Sequence, residues 1–267
     1  RVNGHTVLKN MIAIWIGKLP LIIYMQITKK NKQFEVSGFT INKKYSYKEY
    51  SRNDEESGRT YNVGEFKIPS VTTILNKTQS EEKRRSLDAW RERVGYQEAA
   101  RITAQASKRG TEMHYVLEQY LNGIGYINLS KDGVLPRMMA HTIVSNLDRF
   151  SQVYGTEVSL FYKDRWAGMT DVVGVYDDKS TIVDFKQANK PKREEWIEDY
   201  YYQIAAYSLA HKLNFGPIEQ GLICICTKDL QYQQFKMNTN MLSEYEDKWM
   251  DRVEKFYKYS NTSSPNV

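Results

Sequence analysis

The chain has 267 residues, of which 41% are hydrophobic and 13% aromatic, and this composition excludes an intrinsically disordered protein. Its 38 lysines and arginines against 32 acidic residues give a net charge of +6, which favours partners that carry phosphate groups or other anionic surfaces. The two cysteines, Cys224 and Cys226, form no C-x-x-C pair, which argues against a structural zinc site or an iron–sulfur cluster.

A short apolar run lies near the start of the chain, at residues 11–24. Lys18 and Pro20 interrupt it, and it is too short to span a bilayer, so we predict no membrane association. Because the chain begins with an arginine, we take Met25 as the true start and residues 1–24 as an upstream or misassigned segment.

An N-terminal unit and a helical section follow. Residues 25–64 contain two β-prone stretches that predict a hairpin over 26–41, and then a polar, tyrosine-rich loop over 42–64. Ser70 is a suitable N-cap for a short helix. Longer helices are predicted at residues 80–96, 97–121 and 135–154. The first of these presents one apolar face, formed by Leu87, Trp90 and Val94.

From residue 157 the pattern changes to short β-prone runs separated by turns. The order of elements becomes β-β-β-α-β-β-α, which predicts an α/β fold with a mixed sheet flanked by helices. We assign residues 65–260 to this main domain and residues 261–267 to a polar tail. The strands are predicted at residues 157–162, 169–176, 181–186, 220–226 and 230–237, and the helices at 193–213 and 241–259.

Two aspartates lie at matching distances from one predicted turn. Asp171 lies six residues before Asp177, and Asp184 lies six residues after Asp178. A turn centred on that pair would place Asp171 opposite Asp184, where two carboxylates repel unless a cation lies between them. Oxygen ligands of this kind suit Mg²⁺ or Mn²⁺, so the hairpin predicts a divalent metal site.

Lys186 lies two residues after Asp184 and therefore shares its face of the strand. An ammonium beside metal-bound carboxylates can activate a water or neutralise charge on a phosphoryl oxygen, as phosphodiester hydrolysis requires. The alternative is a surface hairpin with an ordinary Asp–Lys pair, but Asp184 lies in an apolar run where an unpartnered charge is costly.

Asp171 together with Asp184-Phe185-Lys186 resembles the D…(D/E)-x-K core of the PD-(D/E)XK nuclease superfamily. Gly110-Thr-Glu-Met-His114 and Gln203-Ile-Ala-Ala-Tyr207 resemble the G-x-x-x-H and Q-x-x-x-Y motifs of its RecB-like branch. Together with residues 69–75 and 184–192, they are most similar to the mitochondrial genome maintenance exonucleases and their phage relatives. The resemblance implies a restriction-endonuclease-like fold, with an N-terminal helical section that arches over the site and admits single strands.

The resemblance also implies roles for individual residues. The metal ligands would be Asp171 and Asp184, His114, the backbone carbonyl of Phe185, and Glu157, although a glutamate at the end of a strand is as often a surface residue. Gln203 would support the catalytic lysine or a phosphate. Tyr207 would pack beside Gln203 as a further nucleic-acid contact, and a purely structural role is the alternative for either residue. Glu118, one helical turn beyond His114, would orient that histidine.

Basic residues near the site are candidate phosphate contacts, with a solvated surface as the alternative. Lys190, Lys192 and Arg193 follow the catalytic strand directly. The helix at 80–96 offers Trp90 for base stacking and Arg91 for phosphate, with further cations at Lys83, Arg84, Arg85 and Arg93. One departure from the RecB-like pattern is Gln187, which stands where those enzymes commonly carry threonine.

The expected protein is a monomeric, Mg²⁺- or Mn²⁺-dependent exonuclease that acts on single-stranded DNA in phage-type replication, recombination or repair. It would work in the cytoplasm, in that of the host for a phage protein, or in the mitochondrial matrix for a eukaryotic one. Two alternatives remain. A different RecB-like nuclease usually brings iron–sulfur cysteines, which this chain lacks. A catalytically silent nucleic-acid-binding module of the same fold would not need Asp171, Asp184 and Lys186 together.

Overall fold

The structure is a computed structural model that describes residues 38–124 and 133–262. The predicted segment 1–24, most of the hairpin at 26–41 and the end of the polar tail lie outside these residues. Within them, no helix is both long enough and apolar enough to cross a bilayer.

A six-stranded mixed sheet forms the centre of the molecule, which confirms the predicted fold class. Its strands are β1 (Thr40–Ile41), β5 (Phe150–Tyr162), β6 (Trp166–Tyr176), β7 (Lys179–Ala188), β8 (Gln220–Thr227) and β9 (Tyr232–Met237). They lie side by side in this same order. Neighbours run antiparallel except for the pairs β1–β5 and β7–β8, which are parallel.

The turn between β6 and β7 is centred on Asp177 and Asp178, as the sequence predicts. Both residues have positive φ, 58° and 60°, which is the backbone of a tight two-residue hairpin turn. Tyr176 therefore pairs with Lys179, and the register continues without a shift to Val172 and Val183. The next step of this register brings Asp171 level with Asp184.

A separate antiparallel sheet of three strands precedes the first helix: β2 (Arg52–Glu55), β3 (Gly58–Val63) and β4 (Phe66–Pro69). The sequence predicts a loop over most of this stretch, and that prediction is wrong. Apart from two buried positions, the strands are exposed or half-buried, and they carry charged pairs such as Arg59 and Asp54, so they lack the apolar alternation that indicates a strand. Only Tyr61 and Ile68 anchor this sheet, in a small cluster with Ala167.

Three helices then lead toward the central sheet. Helix α1 (Val71–Lys77) is capped by the Ser70 hydroxyl, which accepts from the backbone N–H of Thr73. Helix α2 (Glu81–Val94) contains no buried residue, so its predicted apolar face is left largely uncovered. Gly95, with a φ of 86°, ends α2 and begins α3 (Tyr96–Leu121), which passes through Gly110 without a break.

The next helix is shorter than predicted. Helix α4 (Val134–Val144) ends ten residues early, because Ser145, Asn146 and Asp148 favour a turn, and β5 begins at Phe150. A 3₁₀ turn at Glu194–Trp196 precedes α5 (Glu198–Asn214), which crosses over between the parallel strands β7 and β8. Helix α6 (Thr239–Thr262) is the last element described.

The helices cover both faces of the sheet and define two apolar cores. Helices α3 and α4 cover one face, where Met113, Leu117, Met139, Val183 and Phe185 are buried together with both free cysteines. Helices α5 and α6 cover the other, where the buried residues include Val158, Ile182, Ala205, Ile223 and Trp249. The functional motifs on α3, β6, β7 and α5 are thereby held by rigid elements.

Candidate active site

Three acidic residues lie level with one another on neighbouring strands. The pairs Thr156–Val172 and Val158–Thr170 put Glu157 beside Asp171, and the hairpin register puts Asp171 beside Asp184. Glu157 has a φ of 48°, which is uncommon for a residue other than glycine and marks an irregularity in β5 at this point. The row of carboxylates is therefore a product of strand register, with one local distortion.

Helix α3 adds an imidazole to this row. His114 Nδ1 lies 3.1 Å from Asp171 Oδ1. One potential ligand atom each from His114, Glu157 and Asp171 lie within 4.8 Å of one another. The other oxygen of Asp171 accepts a hydrogen bond of 2.5 Å from the backbone N–H of Phe185, so this carboxylate is held from two sides.

Asp184 and Lys186 form an ion pair beside this group. The Asp184 carboxylate is buried, and its Oδ2 contacts the Lys186 ammonium. The ammonium also lies 5.1 Å from the ring centroid of Tyr200 on α5. The structure thus brings Asp184 next to the group of three but directs its carboxylate to Lys186. The predicted ligand roles of Asp184 and of the Phe185 carbonyl stay predictions.

The electrostatics of the cluster show that its acidic groups repel. Burial and then the charge of Asp171 raise the pKa of Glu157 to about 7, and burial raises the pKa of Asp184 to about 6 against the opposing effect of Lys186. For His114, burial disfavours the imidazolium, but Asp171 outweighs it and raises the pKa to about 9. His114 and Lys186 lower the pKa of Asp171 against burial, whereas Glu157 is only partly ionised near pH 7, and a nearby cation would lower its pKa.

The donor set fits a hard divalent cation. Two carboxylates and one imidazole converge; the carboxylate oxygens suit Mg²⁺ or Mn²⁺, whereas the imidazole nitrogen is more typical of a transition-metal ion than of Mg²⁺. A divalent ion would offset both the burial and the repulsion from Asp171 that raise the pKa of Glu157. Glu118, one turn beyond His114, is not in this group of three, and burial raises its pKa.

The glutamine and tyrosine of the second motif support the site from α5. Gln203 Nε2 donates to the Tyr207 hydroxyl at 3.1 Å, so its side chain bonds to Tyr207 and not to Lys186. Tyr207 is buried, and a Cβ added at Gly168 would lie 2.6 Å from its ring. The glycine three residues before Asp171 is thus required by the tyrosine ring packed against it, a link that sequence reasoning missed.

The candidate nucleic-acid contacts lie outside this cluster. Lys190 and Arg193 are exposed after β7, and the Arg193 guanidinium lies 5.2 Å from the ring centroid of Trp196. The backbone N–H of Lys192 donates to Gln233. Several cations of α2 form ion pairs on the protein's own surface: Lys83 with Asp199, Arg85 with Glu81, and Arg91 with Asp88.

A groove of about 500 Å³ separates α2 from the N-terminal half of α3. Arg91 and Tyr96 line it together with small residues of α3: Ala99, Ala100, Thr103, Ala104 and Ser107. Trp90, the predicted stacking residue, is half-buried on α2 next to Arg91.

The sequence relatives found by comparison with known proteins all carry the same name. The chain is 30% identical over 215 residues to mitochondrial genome maintenance exonuclease 1 of Xenopus tropicalis, a match that covers 72% of this chain and 58% of that protein. The Mus musculus protein of the same name is 29% identical over 213 residues, covering 74% of this chain and 62% of its own length. The chain therefore spans less than two thirds of the length of these relatives. No protein-family model matches it.

Among solved structures, a candidate exonuclease from Eubacterium rectale is similar with a TM-score of 0.40 and 14% identity, over 58% of this chain and 69% of that one. The sequence relatives confirm the predicted RecB-like nuclease relationship.

Proposed function

Since the chain is a relative of the mitochondrial genome maintenance exonucleases, we propose that it is a metal-dependent exonuclease that hydrolyses DNA, with a preference for single-stranded ends. The observation that carries the proposal is the convergence of His114, Glu157 and Asp171 beside the Asp184–Lys186 ion pair. Such a set combines a place for a divalent cation with a fixed ammonium, and phosphodiester hydrolysis requires both.

His114, Glu157 and Asp171 would hold the ion, with Asp184 adjacent. A bound Mg²⁺ or Mn²⁺ would lower the pKa of a coordinated water and stabilise charge on the phosphoryl oxygens. The protein's own part is to fix the ligands. Asp171 is held by the Phe185 N–H and His114, and neutral imidazole must be available at His114 for it to bind a cation.

Lys186 serves as an electrostatic group rather than as a base. Burial disfavours its ammonium, but Asp184 and Asp171 outweigh burial and raise its pKa, so the side chain stays protonated. An ammonium in this position can stabilise the negative charge that develops when water attacks phosphorus and the bond to the leaving oxygen breaks. The Tyr200 ring and Asp184 limit the positions that the ammonium can take.

Access to the site supports a single strand as substrate. Helix α2 stands away from the core with no buried residue, and the groove between α2 and α3 carries Arg91 at its edge. Lys190 and Arg193 lie exposed beyond the end of β7, where a strand leaving the site would meet positive charge. We propose that the protein acts as a monomer in DNA replication, recombination or repair.

The proposal is tested by degradation of a labelled linear single-stranded DNA with Mg²⁺ or with EDTA. We expect loss of the label only with the metal, and an activity at least about 100-fold lower in Lys186→Ala, the scale of one removed transition-state contact. Lys179→Ala is the matched control, because Lys179 is exposed at the other end of the same strand, and it should keep wild-type activity.

The requirement for ends is tested with a circular single strand of the same length. An exonuclease leaves the circle intact and degrades the linear form. Cleavage of the circle would identify an endonuclease. Tight DNA binding without any cleavage by the wild-type protein in Mg²⁺ or Mn²⁺ would instead favour the silent binding module.

A further inference from the structure

One arginine next to the site is held in an unusual way. Arg109 lies on α3 directly before the Gly110–His114 motif, and its side chain reaches the end of β7. Its Nε and Nη2 donate to Gln187 Oε1 at 2.9 and 2.6 Å, and Nη2 also donates to Asn189 Oδ1. Both partners are neutral amides, so the guanidinium is positioned while its charge is not neutralised.

No carboxylate compensates this charge among residues 38–124 and 133–262, where the hydrogen bonds of the Arg109 side chain go only to the two amides. Arg101, two turns earlier on the same helix, shows the ordinary case, since it makes two hydrogen bonds to the Glu98 carboxylate. Partial burial of Arg109 without an anion lowers the pKa of its guanidinium. A half-buried, preoriented cation of this kind fits an anionic ligand that arrives from outside.

The position of Arg109 indicates which anion this is. Gln187, which holds it, directly follows Lys186 on β7, and α3 rises about 7.5 Å between Arg109 and His114. The anion nearest to the guanidinium would therefore be a backbone phosphate close to the scissile linkage. The Nη1 donors make no hydrogen bond to the described residues and are available to phosphate oxygens.

We propose that Arg109, positioned by Gln187 and Asn189, binds a DNA phosphate close to the scissile linkage. The inference rests on the proposed nuclease function and adds a contact that fixes the strand relative to the site. Gln187 is then the residue that orients the guanidinium, and its uncharged oxygen leaves the full positive charge for the phosphate.

The test measures the affinity for a labelled oligo-dT in EDTA, which prevents cleavage, over a range of salt concentrations. Each phosphate contact on a single strand contributes about 0.7 to the slope of log K against log salt. We expect Arg109→Gln to reduce the magnitude of that slope by about 0.7 and to weaken binding. Gln187→Glu should act in the same direction, because a carboxylate would neutralise the guanidinium. Arg101→Gln, with its existing Glu98 partner, is the control and should bind as the wild type does.

The outcomes separate this inference from the proposed activity. If the wild type degrades DNA but a folded Arg109→Gln variant keeps the wild-type slope and affinity, the inference alone is overturned. If the wild type binds DNA without cleaving it, the exonuclease proposal fails, while the phosphate contact is still decided by the slope. A wild type that does not bind oligo-dT overturns both. Thermal unfolding of each variant verifies that it is folded.

Discussion

Replacing Glu157 by glutamine should make the metal-free protein more stable. The glutamine would keep the shape of the side chain but remove a negative charge that is disfavoured first by burial and then by repulsion from Asp171. The folded protein holds the Glu157 proton more tightly than the unfolded chain does. The carboxyl group therefore costs no stability below its ordinary pKa of 4.5, and it destabilises the fold increasingly as the pH rises to about 7.

The size of the effect follows from that shift. A rise in pKa from 4.5 to about 7 corresponds to about 3 kcal/mol at about 1.4 kcal/mol for each unit. Because His114 and Asp171 share in the same titration, we expect Glu157→Gln to gain about 1–3 kcal/mol at pH above 7. The gain should disappear in acid, where both proteins carry an uncharged group at this position.

The assay is denaturant unfolding in EDTA at several pH values, with Glu92→Gln on the exposed part of α2 as the control. Adding Mg²⁺ should reverse the order, because a cation that binds only the folded state stabilises the wild type more than a variant lacking one ligand charge. A variant that is less stable than the wild type in EDTA at high pH would refute the account of repulsion. An equal response of both proteins to Mg²⁺ would remove Glu157 from the ligands.

Three further variants test the supports of the site. Gly168→Ala places a Cβ 2.6 Å from the Tyr207 ring, so we expect a loss of about 1–3 kcal/mol in unfolding free energy, and a smaller loss when Tyr207→Ala is already present. Tyr200→Leu removes the ring beside the Lys186 ammonium and should lower kcat about 2- to 5-fold. Tyr200→Phe keeps the ring and should leave kcat unchanged. Equal kcat values for the two variants would exclude a role for the ring face. Ser70→Ala removes the cap of α1 and should cost about 1 kcal/mol in thermal unfolding, with unchanged DNA affinity.

The parts of the site that sequence could predict are those that depend on local rules. Two aspartates adopt positive φ in a tight turn, and the strict register of a hairpin then aligns Asp171 with Asp184. The alternation of side chains along β7 relates Asp184 to Lys186 in the same way. Most of the central sheet was predictable because its strands are apolar runs separated by turn residues, but the first residues of β5 were predicted as helix.

The remainder depends on contacts between distant parts of the chain. Arg109 and Gln187 are 78 residues apart, and no local pattern pairs them. Likewise, the ring of Tyr200 beside Lys186 belongs to a run of three tyrosines that a sequence cannot tell apart. The small sheet at 52–69 escaped prediction because its strands are mostly polar and contain only two buried positions, so hydrophobic periodicity is weak there.

The continuity of helix α3 restricts the insertions and deletions that this part of the sequence can accept. Its 26 residues form one uninterrupted rod that carries both Arg109 and His114. An insertion or deletion of a single residue between them would rotate one relative to the other by about 100° and shift it by about 1.5 Å. Changes in chain length between these two residues would misalign the proposed phosphate contact with the proposed site of cleavage. Substitutions that preserve the helix would leave that distance intact.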